Sequence, residues 1–168
     1  MPASTHLIPA TDAHFTWMLG EGPVPSPDLV LPPDGVEEAD VLRLLRRMTR
    51  RVHAGGSRGS WLMACEGEVV GLCSYKRAPK DGVIEIGYGV AASRRGRGHA
   101  TRAVAAMLDF ARSDPAVGTV TAATAVANLA SQGVLERNGF RKSGTSHDPD
   151  DGDLILWNCD LAKVYPHP

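Results

Sequence analysis

The sequence lacks the features of a membrane protein, a secreted disulfide scaffold and a general nucleic-acid binder. No apolar run approaches the roughly 20 residues that span a bilayer, and no charged segment followed by an apolar one marks an N-terminal signal peptide. The three cysteines are an odd number without metal-ligand spacing, which favours buried, reduced thiols. The formal net charge of −1 is far from the strongly basic balance of nucleic-acid binders. We therefore expect a cytoplasmic protein that uses no metal, membrane or nucleic acid.

The N-terminal third combines a proline-rich loop with one amphipathic helix. With 168 residues, of which 43% are hydrophobic, the chain is long enough for one globular domain with a substantial core. Five prolines within residues 20–35 predict a long loop. Apolar residues recur at helical spacing over residues 36–53, which predicts a helix. Its acidic start and arginine-rich end match the helix dipole, although the arginines could also form a nucleic-acid patch.

Three consecutive strands are predicted over residues 61–65, 69–76 and 83–90. Their connections are too short for a parallel crossover, so the strands should pair antiparallel. The third strand alternates an apolar face with a face that carries Glu85 and two glycines. Because Glu85 is a carboxylate in an otherwise apolar strand, it is a candidate general base. The alternative is a structural acid paired with an arginine.

A basic, glycine-rich loop follows the third strand and opens directly into a helix predicted over residues 97–113. Gly96 and Gly98 allow the backbone to approach a bulky phosphate closely. The first turn of the helix offers unpaired N–H groups and a partial positive charge. The loop therefore predicts a pyrophosphate site, with a solvated basic turn as the alternative. It matches neither a P-loop nor the dinucleotide-binding fingerprint, since Thr101 stands where that fingerprint needs a third glycine.

A second motif lies one β–α unit downstream of the basic loop. The strand predicted over residues 119–126 is reached through a helical crossover, so it should lie parallel to the strand over residues 83–90. Asn128 is then placed to cap a short helix that Gly139 ends. A final pair of strands is predicted around an acidic loop.

These two motifs, in this order and at this distance, resemble the signatures of the GNAT superfamily of N-acetyltransferases. The segment from Arg95 to Ala100 is similar to the acyl-CoA pyrophosphate loop of that family, and the Asn-led helix ending in Gly-Phe is similar to its second signature. The pattern is closest to the branch containing ribosomal-protein N-terminal alanine/serine acetyltransferases. The resemblance implies an α/β (α+β) fold with a mixed, mostly antiparallel central sheet flanked by helices. The implied single domain, 1–168, consists of a variable acceptor-side part (1–60), a CoA-binding core (61–140) and a closing strand pair (140–161).

The resemblance also implies acetyl-CoA as the co-substrate and a set of residues that bind it. The strands at Val90 and Val126 should splay apart to admit the pantetheine arm, and an N–H near Val90 should face the thioester oxygen. The implied CoA-binding residues are Tyr88, Gly89, Val90, Arg95, Gly96, Arg97, Gly98, His99, Ala100, Thr101, Asn128, Ser131 and Arg137.

The implied reaction is acetyl transfer to the primary amine of a small molecule or a peptide N-terminus. Glu85 would take the proton of the amine, directly or through water. Many family members protonate the departing thiolate with a tyrosine, but Leu135 occupies that position here, and Ser131 resembles the serine of the ribosomal branch. If Leu135 marks lost chemistry, a non-catalytic acyl-CoA-binding sensor on the same fold is the alternative. A phosphate- or RNA-binding module is a third interpretation.

The acceptor site is expected between the N-terminal loop and the final hairpin, in a protein that is a monomer or homodimer. Trp17, Glu21 and His147 are the candidate substrate-binding residues in that region. The acidic residues beside His147 could attract a cationic amine, or they could form only a polar turn.

Overall fold

The computed structural model describes residues 3–161, and the elements predicted from residue 36 onwards occur in the predicted order. In chain order they are β1 (Thr5–Pro9), α1 (Asp12–Met18), α2 (Ala39–Ala54), β2 (Ser60–Cys65), β3 (Glu68–Tyr75), β4 (Val83–Val90), α3 (His99–Ser113), β5 (Thr119–Ala125), α4 (Leu129–Arg137), β6 (Arg141–Asp148) and β7 (Gly152–Asp160), with a 3-10 turn at Ala92–Arg94. Within the described residues, no helix is long and apolar enough to cross a membrane.

Seven strands of the described chain form one sheet in the order β1-β2-β3-β4-β5-β7-β6. Neighbouring strands are antiparallel except β4 and β5, which are parallel. Short turns make β2, β3 and β4 antiparallel, whereas the crossover through α3 returns β5 in the same direction as β4. The predicted mixed, mostly antiparallel sheet flanked by helices is confirmed.

Each face of the sheet has its own apolar core, because alternate residues of a strand point to opposite faces. Trp61 and Cys73 belong to the core that includes the buried face of α3. Their neighbours Leu62 and Leu72 belong to the core that includes Phe15 of α1 and residues of α2. The three cysteines are buried and unbridged, as the sequence predicts.

Two helices begin later than predicted, and the backbone explains both differences. Helix α3 begins at His99 rather than at residue 97 because Gly96 and Gly98 have φ values of +76° and +79°, which a right-handed helix excludes. Helix α2 begins at Ala39 because Glu38 is still extended. The final hairpin is also tighter than strands over residues 140–145 and 153–160, which the sequence predicts, would make it, since β6 continues to Asp148 and pairs there with Gly152.

Asp12 joins the start of α1 to α2 through ion pairs with two arginines. Its Oδ1 lies 2.7 Å from a guanidinium nitrogen of Arg50, and its Oδ2 accepts a hydrogen bond from Arg46. The hydrogen bond from Arg46, helped by that from Arg50, holds the pKa of Asp12 at about 2, below its usual 3.8. The carboxylate is therefore charged in the folded protein at pH values where an unfolded chain would already bind a proton.

Asp12→Asn should lower the free energy of unfolding at pH 7 by about 0.5–1 kcal/mol, a small effect because half of the Asp12 side chain is exposed. Folding lowers the pKa of Asp12, so this stabilisation is complete above about pH 4 and is lost as the pH falls towards 2. Urea unfolding of both proteins across that range measures it. Asp109→Asn, which removes a more exposed pair with Arg112, is the control. A difference that stayed constant down to pH 2 would contradict this role for Asp12.

Candidate active site

Strands β4 and β5 pair at one end and then part. Their parallel register covers only Val83 to Glu85 on β4 and Thr119 to Thr121 on β5. Beyond this point β4 stays with β3 as far as Val90, while β5 stays with β7 as far as Ala125. A gap therefore opens between the carboxyl ends of the two central strands, as expected of a site that admits an extended ligand.

The backbone of β4 presents hydrogen-bonding groups to this gap. Glu85 and Ala91 both bond to the β3 side, since Lys76 N donates to Glu85 O at 2.9 Å and Ala91 N donates to Val70 O at 2.8 Å. Hydrogen-bonding direction alternates along a strand. The N–H groups of Tyr88 and Val90 therefore point away from β3 and into the gap, where β5 has already departed.

The first turn of α3 lies at the end of β4, across the basic loop. Its N-cap is Gly98, which has no side chain to make a capping bond, and the first intrahelical bond runs from Arg102 N to Gly98 O. The N–H groups of His99, Ala100 and Thr101 thus precede the intrahelical hydrogen-bond ladder. A helix N-terminus with such groups and a partial positive charge is suited to an anion.

The arginines of the loop have different surroundings. Arg94 is held by Glu68, with its Nη2 3.0 Å from Oε2, so its charge is already paired. Arg95 is exposed and donates from Nε to the carbonyl of Val90 at 3.1 Å. Arg97 is exposed beside the helix N-terminus. Only two of the three loop arginines are therefore available to a phosphate, whereas the sequence places all three charges at one point.

His99 contributes its backbone rather than its side chain to this site. The imidazole is buried, and its Nδ1 lies 2.8 Å from the hydroxyl of Thr5 on β1. Burial, followed by the charges of Arg102 and Arg97, lowers the pKa of His99 below its usual 6.5. The ring is thus neutral at pH 7 and joins α3 to the edge of the sheet.

Helix α4 faces the gap from the β5 side. Asn128 caps it as predicted, with its Oδ1 accepting from Ser131 N at 3.1 Å. The hydroxyl of Ser131 lies 2.8 Å from the hydroxyl of Tyr88, which therefore reaches across from β4 to α4. Burial raises the pKa of Tyr88, so its hydroxyl keeps its proton at neutral pH. The two hydroxyls form a connected pair of potential proton donors at the gap.

The other two α4 residues named in the sequence analysis, Leu135 and Arg137, differ in their exposure to solvent. Leu135 is completely buried in the core, so it is a packing residue with no access to the gap. Arg137 is exposed and lies along its own helix, with its guanidinium nitrogens 3.5 Å from the position that a Cβ at Gly133 would occupy.

Glu85 is paired, but with a lysine rather than with the arginine of the structural alternative. Its Oε2 lies 3.3 Å from Nζ of Lys76, which directly follows the neighbouring strand β3, and about a quarter of the Glu85 side chain is exposed. By the alternation of β4, Glu85 shares a face with Gly87 and Gly89 and points to the α2 side of the sheet.

That side of the sheet contains a cleft of about 310 Å³ between α2 and strands β3 and β4. Its walls are mainly apolar and include Phe15, Val36, Val41, Leu44, Met48 and Leu72. Gly87 and Gly89 line its sheet side, and Glu37 lies near Gly89. Sequence reasoning missed this cleft because helical spacing identifies the apolar face of α2 but does not show how much of that face the core covers. In the structure, Leu44 is 51% exposed, which shows that the apolar stripe is wider than the core requires.

The three predicted substrate-binding residues do not line this cleft. Trp17 packs against the core on the α2 side, and Glu21 lies 3.5 Å from Arg43 of α2. His147 belongs to β6 and pairs with Asp153 at 2.8 Å in the final hairpin. Their contact with a substrate stays a prediction.

Comparison with known proteins identifies the family. Residues 8–141 match the family model described as "Acetyltransferase (GNAT) domain". A curated relative, the uncharacterized N-acetyltransferase YjdG of Bacillus subtilis (strain 168), is 33% identical over 94 residues. That match covers 53% of this chain and 56% of YjdG, so the chain spans just over half of the relative's length.

Two solved structures with coenzyme A share the fold. RimL, a ribosomal L7/L12 alpha-N-protein acetyltransferase in complex with coenzyme A, has a TM-score of 0.62 and 21% identity over 74% of each chain. The aminoglycoside acetyltransferase AAC(6')-Ib, in complex with coenzyme A and kanamycin, has a TM-score of 0.54 and 25% identity over 60% of this chain and 65% of its own. With its parted central strands, its glycine-capped helix and a matching family model over most of its length, the chain belongs to the GNAT family of acetyltransferases.

Proposed function

We propose that the protein transfers the acetyl group of acetyl-CoA to a primary amine, of a small molecule or a peptide N-terminus, by direct attack on the thioester. The observation that carries the proposal is the gap between β4 and β5, which has the N-terminus of α3 at its end. An extended arm with amide groups fits the open edge of β4 as an added strand would. A diphosphate at the end of that arm meets the first turn of α3.

The donor-binding residues follow from this placement. Backbone N–H groups of residues 97–101 receive the pyrophosphate, with Arg95, Arg97 and Arg137 as the flanking charges. The amide nitrogen of Asn128 is left to bond the pantetheine arm, because its oxygen already caps α4. The N–H of Val90 is the donor to the thioester oxygen, where negative charge develops during attack.

The chemical step forms a C–N bond and breaks a C–S bond. The ammonium group first gives up one proton, the resulting lone pair attacks the thioester carbonyl, the nitrogen then releases a second proton to solvent, and the thiolate leaves. Glu85 takes the first proton through a chain of water molecules, since its Cα stands four residues, about 13 Å, along β4 from that of Gly89 and its carboxylate cannot touch the amine there. Ser131 gives a proton to the thiolate, with the Tyr88 hydroxyl 2.8 Å behind it to resupply the serine. A thiol pKa near 8.5 makes this second transfer helpful rather than essential.

Thermal unfolding with acetyl-CoA, CoA, NAD or ATP tests the donor assignment. At about 100 times its dissociation constant a ligand adds about 2.7 kcal/mol to the stability of the folded protein. For a domain of this size, acetyl-CoA and CoA should raise Tm by about 5–11 °C. NAD and ATP, which lack the pantetheine arm, should raise Tm much less. Equal shifts with all four would reduce the site to a general phosphate site, and no shift with CoA would refute the proposed donor.

A further inference from the structure

We propose that the amine acceptor carries a single positive charge and an apolar substituent, and that Glu37 binds its ammonium group at the mouth of the cleft between α2 and β4. This inference rests on the proposed function and specifies its substrate class. It depends on three features of the cleft: where its carboxylate lies, which charges its walls carry, and what the rest of its lining is made of.

The Glu37 carboxylate is placed against β4 at the point where the proposed thioester lies. Its Oε2 lies 3.8 Å from the position that a Cβ at Gly89 would occupy. Its Oε1 accepts a hydrogen bond from the N–H of Glu38 at 2.9 Å, which orients the group before the first turn of α2. An ammonium group bound to Oε2 would therefore lie beside Gly89 and Val90. Glu85, by contrast, stands four residues further back along the strand.

Glu37 is also the unbalanced charge of the cleft. The other permanently charged side chain in its lining is Lys76, which is neutralised by Glu85 at 3.3 Å. Within residues 3–161, no cationic group lies within ion-pair distance of Glu37. The walls thus carry one net negative charge, which complements one ammonium group. A second cation placed deeper in the cleft would have no partner and would lose its hydration.

The rest of the cleft lining is mainly apolar. Val41, Leu44 and Met48 lie on one side of α2 and line the cleft, and Val41 and Leu44 are 38% and 51% exposed. Contact with an apolar group would remove this surface from water. The volume of about 310 Å³ is roughly twice that of an apolar cavity that binds benzene. The cleft can therefore hold an aromatic ring or a chain of about five carbons beside the ammonium site.

A matched pair of amines tests the substrate class. Pentylamine and 1,4-diaminobutane have the same number of non-hydrogen atoms. The end of the chain away from the reacting amine is a methyl group in pentylamine and a second ammonium group in 1,4-diaminobutane. We expect kcat/KM to rise by up to about fourfold per methylene from ethylamine to pentylamine, and to be at least about tenfold lower for 1,4-diaminobutane than for pentylamine. Tripeptide amides beginning with phenylalanine or serine separate a peptide source of the apolar amine from a small-molecule source. Efficient acetylation of the diamine would refute the inference while leaving the proposed function intact.

Variants of the cleft test the two recognition elements separately. Glu37→Gln should raise KM for pentylamine by about 10- to 100-fold with little change in kcat, because it removes a charged hydrogen bond to the bound amine. Leu44→Asn should lower kcat/KM for pentylamine but not for ethylamine. Arg47→Asn, on an exposed part of the same helix, makes a similar change in helix propensity and is the control. A fall in kcat alone for Glu37→Gln would assign Glu37 to proton transfer and overturn its role in binding.

Direct binding distinguishes failure of this inference from failure of the proposed function. Pentylamine should bind to protein saturated with CoA, and Glu37→Gln should weaken that binding, whether or not transfer is observed. Binding without any transfer would refute the proposed function and retain the ligand class. Transfer to other amines without binding of pentylamine would refute the ligand class and retain the proposed function.

Discussion

Glu85→Gln should lower kcat for acetyl transfer by about 10²- to 10⁴-fold, the usual contribution of a positioned general base. Glutamine keeps the size of the side chain but cannot accept the proton that the attacking amine must lose. The affinity for acetyl-CoA should not change, because Glu85 lies on the α2 side of the sheet, away from the gap. Release of the CoA thiol measures turnover, and calorimetric titration measures donor binding.

Glu136→Gln, at an exposed position of α4, is the control and should behave like the parent protein. The loss caused by Glu85→Gln should be greatest near neutral pH and should shrink as the pH approaches the pKa of the free amine, near 10, where the amine no longer needs a base. An unchanged kcat would remove Glu85 from the chemistry and leave its pair with Lys76 as its only role. Tight CoA binding with no turnover in the parent protein would favour the acyl-CoA sensor instead.

Gly71→Ala should destabilise the fold by about 3 kcal/mol and lower Tm by about 6–12 °C. A Cβ at Gly71 would lie 2.5 Å from the carbonyl oxygen of Gly89 and 3.1 Å from Cα of Val90. Both contacts are with backbone, which cannot rotate away as a side chain can. The methyl group would therefore push β4 out of register at the point proposed to hold the thioester. A displacement of about 1 Å there should also lower kcat/KM by about 100-fold.

Gly144→Ala provides a matched comparison in strand β6. A Cβ at Gly144 meets only Leu156 Cδ1, at 4.0 Å, which is ordinary van der Waals contact. This variant should retain Tm and kcat/KM, since alanine also reduces the entropy of the unfolded chain. Thermal unfolding measures Tm, and initial rates measure kcat/KM, for both variants. Equal stability of the two would mean that β4 yields to the extra methyl group at no cost.

The parts of the fold that depend on local pattern could be read from the sequence. Strand β4 occupies the predicted residues 83–90, because its alternation of apolar residues with Glu85 and glycine is unambiguous. Asn128 caps α4 because a side chain that bonds the third N–H of a helix needs no distant partner. The predicted start of α3 was wrong by two residues, because the positive φ of Gly98 depends on the path of the preceding loop.

The parts that depend on contacts between distant residues could not be predicted. Nothing local indicates that Arg94 pairs with Glu68, or that the Tyr88 hydroxyl reaches Ser131. The alternative role of Glu85, as a structural acid, named an arginine as its partner, but the partner is Lys76, because strand register decides which cation lies opposite. The cleft was missed for a similar reason: periodicity identifies an apolar helix face, but only packing shows how much of that face the core covers.

The short pairing of β4 with β5 has a consequence for hydrogen exchange at the backbone amides of β4. Gly87 and Gly89 share a ladder with β3, whereas the amides of Tyr88 and Val90 point to a neighbour that has left. Protection against hydrogen exchange should therefore alternate from residue to residue along one strand, instead of following the element as a whole. An acceptor amine alone leaves this alternation in place. A bound donor whose arm lies in the gap would protect the amides of Tyr88 and Val90 and so remove this alternation. While bound, the donor would act as an additional strand of the sheet.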